Sequence, residues 1–191
     1  MHHQDSANAE QINIDLLIQK ATAGDANAFG RLYDMHVDRV YRHIYYRIGN
    51  VVDTEDLTQQ VFLKAWQAIR RYKKTSSPFL AWLIRISHNL VVDFYRSKKH
   101  HVNLNHDLRD EDQESNPEQL TEVRFGQARM RAAIMQLPSE QQQVILMRFI
   151  EDFPFADIAS SLGKSEGAIR VILHRALKKL RGILVNVEGE R

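Results

Sequence analysis

Apolar residues along this 191-residue chain recur every three or four positions, and no stretch sustains the strict alternation of a half-buried strand. The pattern predicts an all-α protein. A first helix spans Asp15 to Ala23 and stops at Gly24. Asp25 is placed to cap a second helix carrying Phe29, Leu32, Tyr33, Val37, Val40, Tyr41 and Ile44, with Gly49-Asn50 as its stop. Asp53 or Thr54 caps a third, DTEDLTQQVFLKAWQAIRRY, which turns Leu57, Val61, Phe62, Ala65, Trp66 and Ile69 inward. After the polar loop KKTSSP, Pro78 suits the first turn of a fourth helix, PFLAWLIRISHNLVVDFYRSKKH. Trp66 and Trp82 both fall in apolar patterns and are expected in the core.

The periodicity lapses over HDLRDEDQESNPEQ, which is poor in large apolar residues and contains Asn116-Pro117. Such a stretch reads as a flexible linker. Beyond it lies LPSEQQQVILMRFIEDFPFADIASSLGKSEG, where Ser139 and Gln142 have the spacing of a capping box for a helix over about Glu140 to Ile150. Pro154 breaks it. A short helix then buries Phe155, Ile158, Ala159 and Leu162, Gly163 fits the left-handed position after its end, and Ser165 caps the next helix. In that last helix Ile169, Leu173, Leu177 and Leu180 form an apolar stripe, and Arg170, His174, Lys178 and Arg181 a cationic one. Helix, glycine turn and cationic helix make a helix-turn-helix, whose second helix enters the major groove of DNA. The expectation is two small helical domains, residues 10–101 and 125–187, joined by a flexible acidic linker over 102–124.

The formal net charge of +2 conceals an uneven distribution. Lys64, Arg70, Arg71, Lys73, Lys74, Arg85, Arg96, Lys98 and Lys99 face only Asp93 between Phe62 and His101, and the last helix is equally one-sided. The linker reverses the sign with Asp107, Asp110, Glu111, Asp112, Glu114, Glu118 and Glu122. Basic, acidic, basic is the footprint of a protein that attracts phosphates with two separate surfaces. Along the fourth helix Trp82, Asn89, Asp93, Tyr95 and Arg96 combine cations with groups that stack on or hydrogen-bond unpaired bases. The start of the third helix departs from this, since Asp53, Glu55, Asp56, Gln59 and Gln60 form an acidic and amide patch suited to a basic protein surface.

Cysteine is absent, which removes disulfides, thiolate nucleophiles and cysteine-based zinc sites. No signal peptide or apolar run of membrane-spanning length is seen, so a cytoplasmic protein without membrane insertion is expected. His100, His101, His106 and Asp107 lack a second ligand cluster of metal-site spacing. Ser87 and His88 are neighbours on a helix and point apart, so with Asp93 they make no nucleophile and base. Neither an enzyme nor a cofactor is expected.

In order and spacing, DTEDLTQQVFLKAW, FLAWLIRISHNLVVDFYRSKKH, the acidic linker and LPSEQQQVILMRFIEDFPFADIASSLGKSEGAIRVILHRALKKLR resemble the extracytoplasmic-function group of the sigma-70 family, over about Asp25 to Leu184. The resemblance implies that region 2 binds the clamp helices of the RNA polymerase β′ subunit through Asp53, Asp56, Leu57, Gln59, Gln60 and Leu63. It implies recognition and melting of the −10 promoter element by Lys73, Lys74, Thr75, Ser76, Ser77, Asn89, Asp93, Arg96 and Lys99. Region 4 would bind the β flap and read the −35 element through Lys164, Ser165, Glu166, Arg170, His174, Arg175 and Lys178. Arg170 and His174 would face base edges, and Arg175 and Lys178 mostly phosphates. The chain departs from the family at Ala168, where a hydroxyl is usual, and at Ile172, where arginine is usual. An anti-sigma factor is a further expected partner. The rival reading is a stand-alone regulator of duplex DNA, which would have no use for the Asp53 to Gln60 patch.

Overall fold

The computed structural model describes residues 13–73, 77–102 and 122–189, without the side chains at 99–102, 122–125 and 186–189. Among these residues every regular element is helical. Helix α1 (residues 13–22) precedes α2 (Ala26–Ile48), α3 (Val51–Ala68) with a tight turn Ile69–Arg71, and α4 (Phe79–Val102). After the acidic stretch come α5 (Glu122–Met135), α6 (Ser139–Ile145) widening into a π turn over Leu146–Ile150, α7 (Phe155–Leu162) and α8 (Glu166–Gly189). Helices α2, α3 and α4 pack together, as do α6, α7 and α8.

The caps show why the helices begin where they do. Asp25 accepts from the backbone N–H groups of Asn27 and Ala28, so the second helix starts as the sequence predicts. The third helix starts earlier than predicted, because Asn50 takes the capping role and its Oδ1 accepts from the Asp53 N–H at 2.9 Å. Asp53 therefore sits in the first turn, and the buried Thr54 hydroxyl turns back to the Asn50 carbonyl at 2.6 Å. The predicted capping box at Ser139 does not form. Helix α6 begins at Ser139 itself, behind Pro138, and its hydroxyl accepts from Arg47 at 2.9 Å. The Gln142 amide instead donates to the carbonyls of Met135 and Leu137, tying down the preceding turn.

Most predicted core positions are buried, among them Phe29, Leu32, Val61, Phe62, Ile158 and Ile169. Trp66 is an exception at 37% exposed, its ring laid beside Phe29 near the surface, whereas Trp82 is half-buried against the core. Tyr33 is also exposed, edge-on to Phe62. In α8 the buried stripe is Ile169, Leu173, Ala176 and Leu180, with Leu177 turned outward. At 3.6 residues per turn Leu177 lies roughly 80° around from Ile169, while Ala176 lies within about 20° of it.

The two halves close on each other. Helix α2 packs on α5 and α4 packs on α7, and the seam between the halves is rich in polar side chains. Arg39 on α2 donates to the Glu151 carboxylate at 3.0 Å and to its carbonyl at 2.6 Å. Arg47, 2% exposed, reaches Gln143 at 3.2 Å, Ser139 at 2.9 Å and His88 Nδ1 at 3.0 Å.

Candidate nucleic-acid interface

The first turns of α3 carry charge and amide groups outward because the buried stripe, Thr54, Leu57, Thr58 and Val61, claims the opposite side. Glu55, Asp56, Gln59 and Gln60 are exposed, Asp53 is half-buried, and Leu63 completes the face at 57% exposed. Val51 and Val52 add apolar surface beside it. Leu57 does not belong to this face: it is buried in the core and supports the helix from beneath.

On α4 the polar side includes Arg85, Asn89, Asp93 and Arg96, all exposed. Asp93 and Arg96 pair at 2.6 Å, an exposed contact that exchanges readily for a phosphate. At the foot of the helix Tyr72, Phe79 and Trp82 form an aromatic cluster with centroids 4.8–5.4 Å apart. It underlies a cavity of about 200 Å³ lined by Arg71, Lys73, Ser77, Trp82 and Arg85 from the first half and by Ser160 and Ser161 from α7. Lys73 is exposed and Ser77 half-buried here. Lys74, Thr75 and Ser76 lie outside the described residues, as does the side chain of Lys99.

The helix-turn-helix forms around Gly163, whose φ of 63° lies in the left-handed region that admits glycine without steric cost. The Lys164 N–H closes the turn on the Ala159 carbonyl at 2.9 Å. Ser165 caps α8, its hydroxyl accepting from the Ala168 N–H at 3.2 Å. Lys164, Ser165, Glu166, Arg170, His174, Arg175 and Lys178 are all exposed. Glu166 holds Arg170 at 3.0 Å, so its carboxylate is already engaged, and the Arg170 guanidinium lies 4.7 Å from the Phe155 ring centroid. Lys164 pairs with Glu140 at 2.8 Å. Ile172 packs half-buried against the core, on a side of α8 where arginine would have to bend away.

Sequence reasoning missed the polar seam, although α2 signals it with His36, His43 and Arg47 in line with the apolar positions Val40 and Ile44. Burial pulls His36 down to about 4 and His43 to about 3, with Arg39 and Arg47 respectively adding repulsion. Burial likewise lowers Arg47 to about 10 and raises Glu151, partly offset by Arg39. Glu151 Oε1 and His43 Nδ1 face each other at 4.0 Å, beyond hydrogen-bond distance. Ser87 donates to the Ile84 carbonyl, and His88 is held by Gln143 and Arg47.

Comparison with known proteins decides the family. Residues 32–101 match Sigma-70 region 2, and residues 127–180 match Sigma-70, region 4. The chain is 35% identical to the ECF RNA polymerase sigma factor BldN of Streptomyces coelicolor, over 96% of this chain and 70% of that one. It belongs to the ECF sigma factors. A second relative, the ECF RNA polymerase sigma factor SigL of Mycobacterium tuberculosis, is 30% identical over 86% of this chain and 93% of its own. Among solved structures, CnrH in complex with the cytosolic domain of CnrY is 25% identical, with a TM-score of 0.69 over 91% of this chain and 98% of CnrH. As a sigma factor the chain is a transcription initiation factor. No helix among its described residues is long and apolar enough to cross a membrane.

Proposed function

We propose that this sigma factor docks on core RNA polymerase through the exposed face of α3, formed by Asp53, Asp56, Gln59, Gln60 and Leu63. Residues 10–101 form its −10 domain, 102–124 its linker and 125–187 its −35 domain. Lys73 to Ser77, Asn89, Asp93, Arg96 and Lys99 engage and help open the −10 element. Lys164, Ser165, Glu166, Arg170, His174, Arg175 and Lys178 face the −35 element, with Arg170 and His174 towards base edges. The β′ clamp helices and the β flap are the polymerase surfaces it meets. The polymerase performs all bond chemistry, and the factor needs no cofactor. Its place is the cytoplasm, with polymerase and promoter DNA.

The observation that carries this reading is the segregation of charge by face. An acidic and amide surface on α3 suits a protein partner, while exposed cations on α4 and α8 suit phosphates. An anti-sigma factor that wraps the chain is a further partner; CnrH, a structural relative, is solved with CnrY.

The test is run-off transcription by core polymerase on a library of promoter fragments, with transcripts sequenced. Starts downstream of a shared pair of elements are expected. Asp56→Ala with Gln60→Ala should reduce starts at every promoter alike, whereas Arg170→Ala should change which promoters are used. A protein that shifts duplex DNA without redirecting polymerase would establish the stand-alone regulator instead.

A further inference from the structure

Val171 is 49% exposed in the second turn of α8, in the midst of residues proposed above to face DNA. At 3.6 residues per turn it points about 160° away from both Ile169 and Leu173, which belong to the buried stripe of the helix. The valine therefore stands at the crest of α8. The exposed side chains nearest to it, Arg170, His174, Arg175 and Lys178, all end in polar groups. A single exposed valine on an ordinary surface calls for no explanation. One at the crest of a recognition helix does, because that crest is what meets the base edges in the major groove.

Two neighbours leave the crest to it. Gly167, one turn earlier on the same face, carries no side chain, and a Cβ there would find nothing nearer than Ser165 Oγ at 4.0 Å. Helical side chains lean towards the N-terminus, so Val171 projects over this bare turn. Arg170 lies to one flank, about 100° around from Ile169. There Glu166 holds it at 3.0 Å, and its guanidinium lies 4.7 Å from the Phe155 ring centroid. A base pair that approaches α8 between Gly167 and His174 thus meets an apolar surface flanked by cations.

Such a surface has one match among base edges. All four bases offer hydrogen-bond donors or acceptors in the major groove, and thymine alone adds a C5-methyl group. Valine can neither donate nor accept. Against an amino group or a ring nitrogen it would displace water and return no hydrogen bond, whereas against the methyl it removes apolar surface from water on both sides. Selection for thymine therefore combines attraction to the right base with a penalty on the wrong ones.

We propose that Val171 reads a thymine of the −35 element through its C5-methyl group, at a base pair beside the one that Arg170 contacts. The proposal rests on the placement of α8 in the −35 element made above.

Deoxyuridine pairs as thymidine does and lacks only the C5-methyl, so replacing each −35 thymine in turn, on either strand, isolates this contact. The native chain with core polymerase should lose about fourfold in promoter binding at one such position, the factor that one buried methyl group is worth. In Val171→Ala, with helical content unchanged by circular dichroism, the thymine and uracil promoters should bind alike at that position. Val171→Thr, which keeps one methyl of the side chain, should retain a preference for thymine. A −35 element that holds no thymine, a thymine-to-uracil ratio near one at every position in the native chain, or an undiminished ratio in Val171→Ala would overturn the proposal. Failure of the native chain to direct polymerase at any promoter would instead overturn the assignment of function.

Discussion

Arg47 is a guanidinium with almost no contact with water, and its position in α2 is one that periodicity assigns to an apolar residue. Its hydrogen bonds to Gln143, Ser139 and His88 offset part of the cost of burying charge. Arg47→Ala removes them, leaves a cavity, and should lower stability by about 2–4 kcal/mol in urea unfolding. The histidines of α2 predict a pH dependence. Folded His36 and His43 stay neutral down to about pH 4 and 3, whereas the unfolded chain protonates near pH 6.5. Below pH 6.5 the unfolded state binds more protons, so stability present above that pH is lost as the pH falls. Each histidine contributes a slope of up to about 1.4 kcal/mol per pH unit. His88, also lowered, acts in the same direction. Glu151, raised by burial, acts in the opposite one, since its protonation stabilises the fold as the pH drops through its folded value. Three histidines outweigh one carboxyl group. The melting temperature is therefore expected to fall between pH 6.5 and 5, and His43→Leu should make that fall shallower.

The helix-turn-helix depends on a few local features that the sequence states openly. Gly163 holds φ at 63°, and a Cβ there would meet nothing within 4 Å. Gly163→Ala should thus cost only the left-handed backbone penalty, about 1–2 kcal/mol by thermal unfolding, without a clash. Phe155, at the start of α7, lies close to the guanidiniums of both Arg148 and Arg170. With Glu166 it fixes Arg170 before DNA arrives, which spares rotamer entropy on binding. On the proposed contact of Arg170 with a −35 base edge, Phe155→Leu is expected to weaken discrimination at that base by about threefold in competitive binding, with little change in the salt dependence set by phosphates. The Gly163 turn and the Ser165 cap were legible because each rests on one residue type with a single backbone preference. The Ser139 capping box was misleading because a guanidinium from another helix competes for the same hydroxyl, and the inward placement of Leu177 failed because hydrophobicity alone cannot choose between Leu177 and Ala176.

How the halves meet was the least legible property, since no local pattern in α2 tells which element will cover His43 or Arg47. The helical fold and the cationic character of the exposed sides of α4 and α8 could be read from periodicity and charge. The seam depends on long-range pairs such as Arg39 with Glu151, 112 positions apart, which only the folded chain brings together. That pair yields a prediction about cooperativity. The closed chain should unfold in a single thermal transition, because each half covers surface of the other. Arg39→Ala leaves the fully buried Glu151 carboxylate without its cation, and the resulting desolvation cost is relieved as soon as water reaches it. Separation of the halves wets Glu151 while leaving α2, α3 and α4 packed. The variant should accordingly relieve the cost by opening before either half unfolds. Calorimetry is expected to show one transition in the native chain and two in Arg39→Ala, with Glu151→Leu in the same background moving the pair back towards one. A single unchanged transition in Arg39→Ala would mean that the apolar contacts around Phe153 and Phe79, and not the ion pair, join the halves.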